Sequence, residues 1–196
     1  MPENSSISIT EAQRQVRSVY EGGFFGQLIS SILWLAAAAL GTWLSARAAI
    51  LTLVLGGFFI FPAVTTLLRL LGRPPSLPAH NPLRYLAMQV AFVLPLSMPL
   101  VAPVATLRPH WFFPAMMILL GAHYLPFTFL YGMRSFIPLS ALLVAAGLAI
   151  ALWFPATFSL GGWTAGLLLL VFAFVGRAEA ARAGAEPAAT PAAPAS

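Results

Sequence analysis

The chain has 196 residues, 60% of them hydrophobic and 8% charged, with a mean hydropathy of +0.88. Soluble domains carry about 25% charged residues, so lipid is the expected solvent, and this length holds one helical bundle with no room for a separate soluble catalytic domain. The formal charge of +5 comes from ten basic residues, all arginine and never gathered into a basic run, which argues against nucleic acid as a partner and makes them topology signals.

Residues 1–23 do not read as a signal peptide, because Glu3 and Glu11 stand where a positively charged region should precede the apolar core. Thr10 with Gln13 fits a capping box. Ile9, Ala12, Val16, Val19 and Tyr20 then recur at helical spacing opposite Arg14, Arg17 and Glu21. This predicts a short amphipathic helix on a cytoplasmic membrane surface, ended by Gly22-Gly23.

Six uncharged apolar blocks follow, near 24–46, 48–68, 85–106, 112–132, 135–154 and 157–176. Each meets the requirement of about 20 residues for a helix to cross the hydrocarbon core. The expected fold is therefore all-α and polytopic, with a six-helix transmembrane domain over 24–176 and Pro62 as a kink in the second span. Arg14, Arg17, Arg69, Arg73, Arg84, Arg134, Arg177 and Arg182 fall on one side of this arrangement, with only Arg47 and Arg108 on the other. That bias places both termini in the cytoplasm and the protein in a bacterial inner membrane. Trp43, Trp111 and Trp153 agree as an outer aromatic belt, Tyr20, Tyr85 and Tyr131 as an inner one. After Gly176 apolar bulk vanishes, so 177–196 is expected to be a disordered Ala/Pro-rich cytoplasmic tail.

Small residues four apart mark close helix contacts in lipid. They occur at Ala37, Gly41 and Ser45, at Ala141, Ala145 and Ala149, and at Gly162 and Gly166. Whether these contacts lie within one chain or join a homo-oligomer or another membrane protein is open at this level.

The third block repeats Pro95, Pro99 and Pro103 at four-residue spacing. Each removes the amide that would serve the carbonyl four residues earlier, which leaves those of Ala91, Pro95 and Pro99 in want of donors. Gln89 and Ser97 lie nearby in sequence. In the fourth block Tyr124, Thr128 and Tyr131 make a polar stripe, with His123 about 100° away, and Pro126 frees the Ala122 carbonyl. The third and fourth helices are expected to face each other across a polar seam, with Gln27, Ser30 and Ser31 of the first span as further candidates. The competing expectation is an ordinary kink at Pro126 and a His123 satisfied by a neighbour's backbone.

In Asn81-Pro82-Leu83, and in Gly121-Ala122-His123 with Leu125-Pro126-Phe127 and Leu130-Tyr131, the chain resembles a family of small bacterial membrane proteins catalogued as a domain of unknown function. The resemblance covers roughly residues 10–175. It implies a multi-pass fold and brings no catalytic residues.

No Asp or Glu lies inside any block, which removes the usual carboxylate proton relay, the acidic ring of a cation channel and paired hydrolytic carboxylates. With no cysteine there is no thiolate ligand or nucleophile. His80, His110 and His123 belong to three different depths, so no metal site and no cofactor is expected. Repeated Phe-Pro-Ala and Gly-Gly-Phe-Phe motifs do not fall at equivalent places in two halves, as an inverted-repeat transporter would require. The residues favour an accessory, interaction or sensory component of the bilayer over a catalyst. The alternative is a small transporter or channel for a neutral or weakly polar solute: a water-lined cavity at His123 and Tyr124 would favour transport, a dry packed seam the interaction role.

Overall fold

The computed structural model describes residues 7–185, and these are helical, with no strand among the described residues. The first helix, α1, spans Ile9–Tyr20. Its cap is Ser8, whose hydroxyl accepts the Glu11 amide at 3.2 Å, so the capping pattern is Ser8-x-x-Glu11 and Thr10 lies inside the helix. Glu21, Gly22 and Gly23 then take three successive left-handed conformations, φ 47°, 66° and 86°, and turn the chain into α2, Phe24–Trp43.

Ser45 caps α3 (Ala46–Gly57) through the Ala48 amide at 3.1 Å, and α4 (Ile60–Leu70) follows at a bend of 54°. The bend sits at Phe58-Phe59, directly after Gly56-Gly57. Pro62 lies in the first turn of α4, where its missing amide has no intrahelical partner to lose. It stands four residues after Phe58, at the start of the second half-helix.

Next, α5 spans Arg84–Leu107 and runs unbroken through Pro95, Pro99 and Pro103. A single 3₁₀ turn at Pro109–Trp111 leads into α6, Phe112–Tyr124, and after Leu125-Pro126 into the short α7, Phe127–Tyr131. Gly132, with φ 62°, ends α7, and α8 covers Phe136–Trp153. Finally, α9 covers Leu160–Ala185. It corrects the expected tail boundary: residues 177–185 continue the helix, and 186–196 lie outside the described residues.

Five stretches are long and apolar enough to cross a membrane, and the bent pair of α3 and α4 makes a sixth when taken as one broken span. The tightest pairs are α2 with α9 and α6 with α8, joined through α8 and α9. Phe112, Phe113, Met117, Phe136, Leu143 and Leu169 are fully buried in this four-helix core.

Small residues set the close approaches. Ser31 Oγ donates to the Gly166 carbonyl at 2.8 Å, Gly162 lies against Ala38 and Phe113, and Gly166 lies against Leu35. The Gly162/Gly166 pair thus joins two helices of one chain. The alanine stripe of α8 does not do so: Ala141 and Ala145 are exposed, and α8 packs through Ser140, Leu143, Gly147 and Ile150.

Two parts are less embedded. The pair α3 and α4 packs on α2, and α5 packs chiefly on α6 with only Val90 and Val101 buried. Meanwhile α1 lies across the end of the bundle where α7 and the last turns of α9 meet, and Ala12, Val16 and Val19 are buried there. The middle of its apolar face is therefore taken up by protein, while Ile9 stays exposed.

Candidate functional site

The expected seam divides into two environments. His123 stays on the α5 side, where its imidazole neighbours the Val90 backbone. Gln89 is exposed and does not reach the seam, and Ser97 returns its hydroxyl to the Val93 carbonyl of its own helix at 2.7 Å. Tyr124 and Tyr131 turn the other way, toward α8. The Phe136 ring stacks on Tyr124 at 6.0 Å between centroids and lies 5.2 Å from Tyr131.

Phe127 closes the group, 5.0 Å from His123, 5.3 Å from Tyr124 and 5.5 Å from Tyr131. Offset and tilted rings at these separations attract one another beyond simple burial. The break at Leu125-Pro126 is what permits this: it re-aims α7 so that Phe127 and Tyr131 close on the same partner as Tyr124. Gly23 supplies the floor, since a Cβ there would stand 3.4 Å from Phe136, 3.8 Å from the Tyr131 ring and 3.8 Å from Gln27 Nε2. Gln27, on α2, is thus placed beside the ring cluster.

Three polar atoms inside this region have no hydrogen-bond partner in the protein: Gln27 Oε1, His123 Nδ1 and Thr128 Oγ1. Ser30 is buried, and Ser31 is satisfied by Gly166. Among the described residues no group of three or more His, Asp or Glu comes together. The arrangement is a neutral one: aromatic faces, phenols, an imidazole and an amide. It can stack on and hydrogen-bond an uncharged group, and it holds no carboxylate beside His123 to make an acid–base pair.

A second polar network, around α1, joins Gln13, Gln15, Arg17 and Glu21 of the α1 region to α7, Asn81 and the arginines nearby. Gln13 Nε2 donates to the Phe129 carbonyl at 2.5 Å and Arg17 Nη1 to the Tyr131 carbonyl at 2.6 Å, so two side chains one turn apart serve carbonyls at the C-terminal end of α7. Asn81 is 1% exposed; it donates to the Ala12 carbonyl (3.1 Å) and Gln15 Oε1 (2.9 Å) and accepts the Leu83 amide (2.8 Å). Glu21 pairs with Arg73 and, at 3.3 Å, with Arg177. Glu179 accepts the amides of Arg134 (2.8 Å) and Ser135 (3.1 Å) just ahead of α8.

Burial holds the Arg17 guanidinium below the ordinary arginine value, helped by Arg14 and opposed by Glu179. Burial also pushes the Tyr20 phenol up, against a hydrogen bond from the Leu77 backbone. The signals for this network were local ones: an Asn-Pro before a helix start, and Gln13 with Arg17 at i, i+4.

At the opposite end of the bundle an open cleft of about 410 Å³ lies between the start of α3 and the end of α5. It is remote from the ring cluster.

The two motifs of the sequence reading fall on these features: Asn81-Pro82-Leu83 ties α1 to the head of α5, and the segment from Gly121 to Tyr131 is the α6–α7 break with its rings. No curated protein and no solved structure matches the chain. Residues 9–179, from the first residue of α1 to Glu179, match a family model described as a family of unknown function (DUF7010), and to that family the chain belongs.

Proposed function

We propose that the protein is an accessory or interaction component of a bacterial inner membrane, crossing it six times with the α1 end cytoplasmic, and that it meets another membrane protein or a second copy through α5. The observation that carries this reading is the condition of α5. It is 24 residues long, yet Val90 and Val101 are its buried residues, while Phe92, Leu96, Leu100 and Leu107 stand 56–77% exposed. Pro99 and Pro103 are also exposed, on the helix whose carbonyls at Ala91, Pro95 and Pro99 lack their usual amide. In hydrocarbon an unserved carbonyl costs several kcal/mol, and a helix packed alongside with hydrogen-bonding side chains would relieve it. The packed rings at Tyr124, Tyr131 and Phe136 also support an interaction role over a water-lined path.

The chain has no cysteine, so single cysteines are clean probes. Leu96→Cys and Leu100→Cys in native membranes, treated with a short bifunctional maleimide, should give one discrete adduct whose mass identifies a second copy or another protein. Leu142→Cys, on the exposed face of α8 at 46% exposure, should not. Equal cross-linking at all three positions would overturn the reading.

A second reading, passage or binding of a neutral or weakly polar solute, is favoured by the partnerless Gln27 Oε1, His123 Nδ1 and Thr128 Oγ1. It predicts that His123→Phe leaves the fold intact but abolishes a solute-dependent phenotype. An unchanged phenotype with an intact fold would remove it.

A further inference from the structure

The cleft opposite the α1 end has walls of Ile50, Leu51 and Ala105 and a rim formed by Arg47, Thr106 and Pro109. Its shape follows from the packing described above. Both α3 and α5 rest on other helices, α3 on α2 and α5 on α6, and they leave a gap between them. Its volume lies in the range of ligand-binding clefts.

Charge says what can fill it. Arg47 is exposed and makes no ion pair among the described residues, whereas Glu11, Glu21 and Glu179, the carboxylates of the described residues, all lie at the α1 end. A counter-ion for Arg47 therefore has to come from outside this part of the chain. Exposed tryptophans mark the same level: Trp43 stands four residues before Arg47 and Trp111 two after Pro109, at 75% and 42% exposure. Tryptophan at such helix ends sits at the headgroup depth of a bilayer. An apolar gap that opens onto a guanidinium without an ion pair at headgroup depth matches an amphiphile with an anionic head and a hydrocarbon tail.

The geometry points to a binding site for one anionic phospholipid, its phosphate on the Arg47 guanidinium and an acyl chain along the gap between α3 and α5. The site requires only that these helices cross a bilayer, and stands apart from any partner on the outer face of α5. A zwitterionic lipid would bring a second, cationic group to an end of the molecule with no described carboxylate to receive it. Arg47 and the gap together thus select for net negative charge.

Native mass spectrometry of the full chain in detergent, with phosphatidylglycerol, phosphatidylcholine or inorganic phosphate added in turn, tests this. Phosphatidylglycerol should be retained at one molecule per chain. Arg47→Gln should lower its occupancy about fivefold, as loss of one arginine near a membrane surface does. Arg108→Gln removes a cation at the same end but outside the cleft and should change little. Thr106→Phe, which fills the rim, should displace the lipid while helix content by circular dichroism stays unchanged. Equal retention of phosphatidylcholine, equal loss in Arg47→Gln and Arg108→Gln, or the same occupancy by inorganic phosphate alone would each overturn the proposal.

Discussion

Single side chains decide more in this molecule when they remove space or orphan a buried group than when they give up one hydrogen bond. Ser31→Ala loses the bond to the Gly166 carbonyl and nothing else, so about 0.6 kcal/mol is expected, the average for such bonds between membrane helices. Gly121→Ala should cost more, about 1–3 kcal/mol. Its Cβ would stand 2.8 Å from the Ser140 carbonyl oxygen and 2.7 Å from Val144, so α6 and α8 would have to part, and the Ser140 hydroxyl that donates to the Gly121 carbonyl at 2.7 Å would be strained as well. Asn81→Ala is the polar counterpart. It leaves the Leu83 amide and the Ala12 carbonyl without their partner at a buried position, and at about 1 kcal/mol per bond the loss should reach about 2–3 kcal/mol. Asn81→Asp should recover little of this, since it keeps the acceptor for Leu83 but turns a carboxylate oxygen toward Ala12 O and Gln15 Oε1. Thermal unfolding in detergent orders the four variants. Gly121→Ala ranking below Ser31→Ala, or Asn81→Ala within 0.5 kcal/mol of the parent, would contradict the argument.

Among the elements, α1 shows where sequence reading succeeds and where it stops. Its helical period and apolar face were legible in Ile9, Ala12, Val16, Val19 and Tyr20, because spacing fixes which residues share a face. What that face meets was not legible, since membrane surface and protein end both accept the same stripe. The same limit explains the polar stripe of α6 and α7: the angle between His123 and Tyr124 follows from helix geometry, yet only packing puts one against α5 and the other against Phe136. Composition misled at 177–185, where the loss of apolar bulk looked like a tail. Glu179 reaching the amides of Arg134 and Ser135, and Arg177 reaching Glu21, hold those turns in helical form. The α8 alanines show the same limit, since spacing marks a stripe of small residues but not whether its neighbour lies in the same chain. The attachment of α1 is itself testable at Glu21, which holds a left-handed turn between Arg73 and Arg177. Arg177 is about half exposed, so only part of the 1.5–3 kcal/mol of a charged hydrogen bond survives screening. Glu21→Gln should then raise maleimide labelling of a Val16→Cys reporter by roughly tenfold, the factor for about 1.4 kcal/mol. High salt should raise labelling of the parent in the same direction. An unchanged labelling rate would mean that Asn81, Gln13 and Arg17 hold α1 without it.

At the scale of the whole molecule the two ends differ in kind. One end carries α1, the last turns of α9 and an interlocked set of arginines, carboxylates and backbone groups; the other carries Arg47, Arg108, the tryptophans and an open cleft. The contact of Gly22 with Gly176, where an added Cβ would lie 2.7 Å from a carbonyl oxygen, puts the start of α2 and the later part of α9 at one end. If the other five apolar stretches each cross, that pairing predicts that the bent α3–α4 pair crosses as well and does not return to its own side. Arginines near short connections set orientation, with the richer side cytoplasmic. Arg14, Arg17, Arg69, Arg73, Arg84, Arg134, Arg177 and Arg182 belong to the α1 end. Both Ser45 and Ala181 are exposed, at opposite ends and away from the buried core. In intact cells a membrane-impermeant maleimide should therefore label Ser45→Cys at once and Ala181→Cys only after permeabilisation. Reversed accessibility would invert the orientation while leaving the packing as described. Labelling of both sites in intact cells would show that one of the stretches between them, the bent α3–α4 pair first among them, does not complete a crossing.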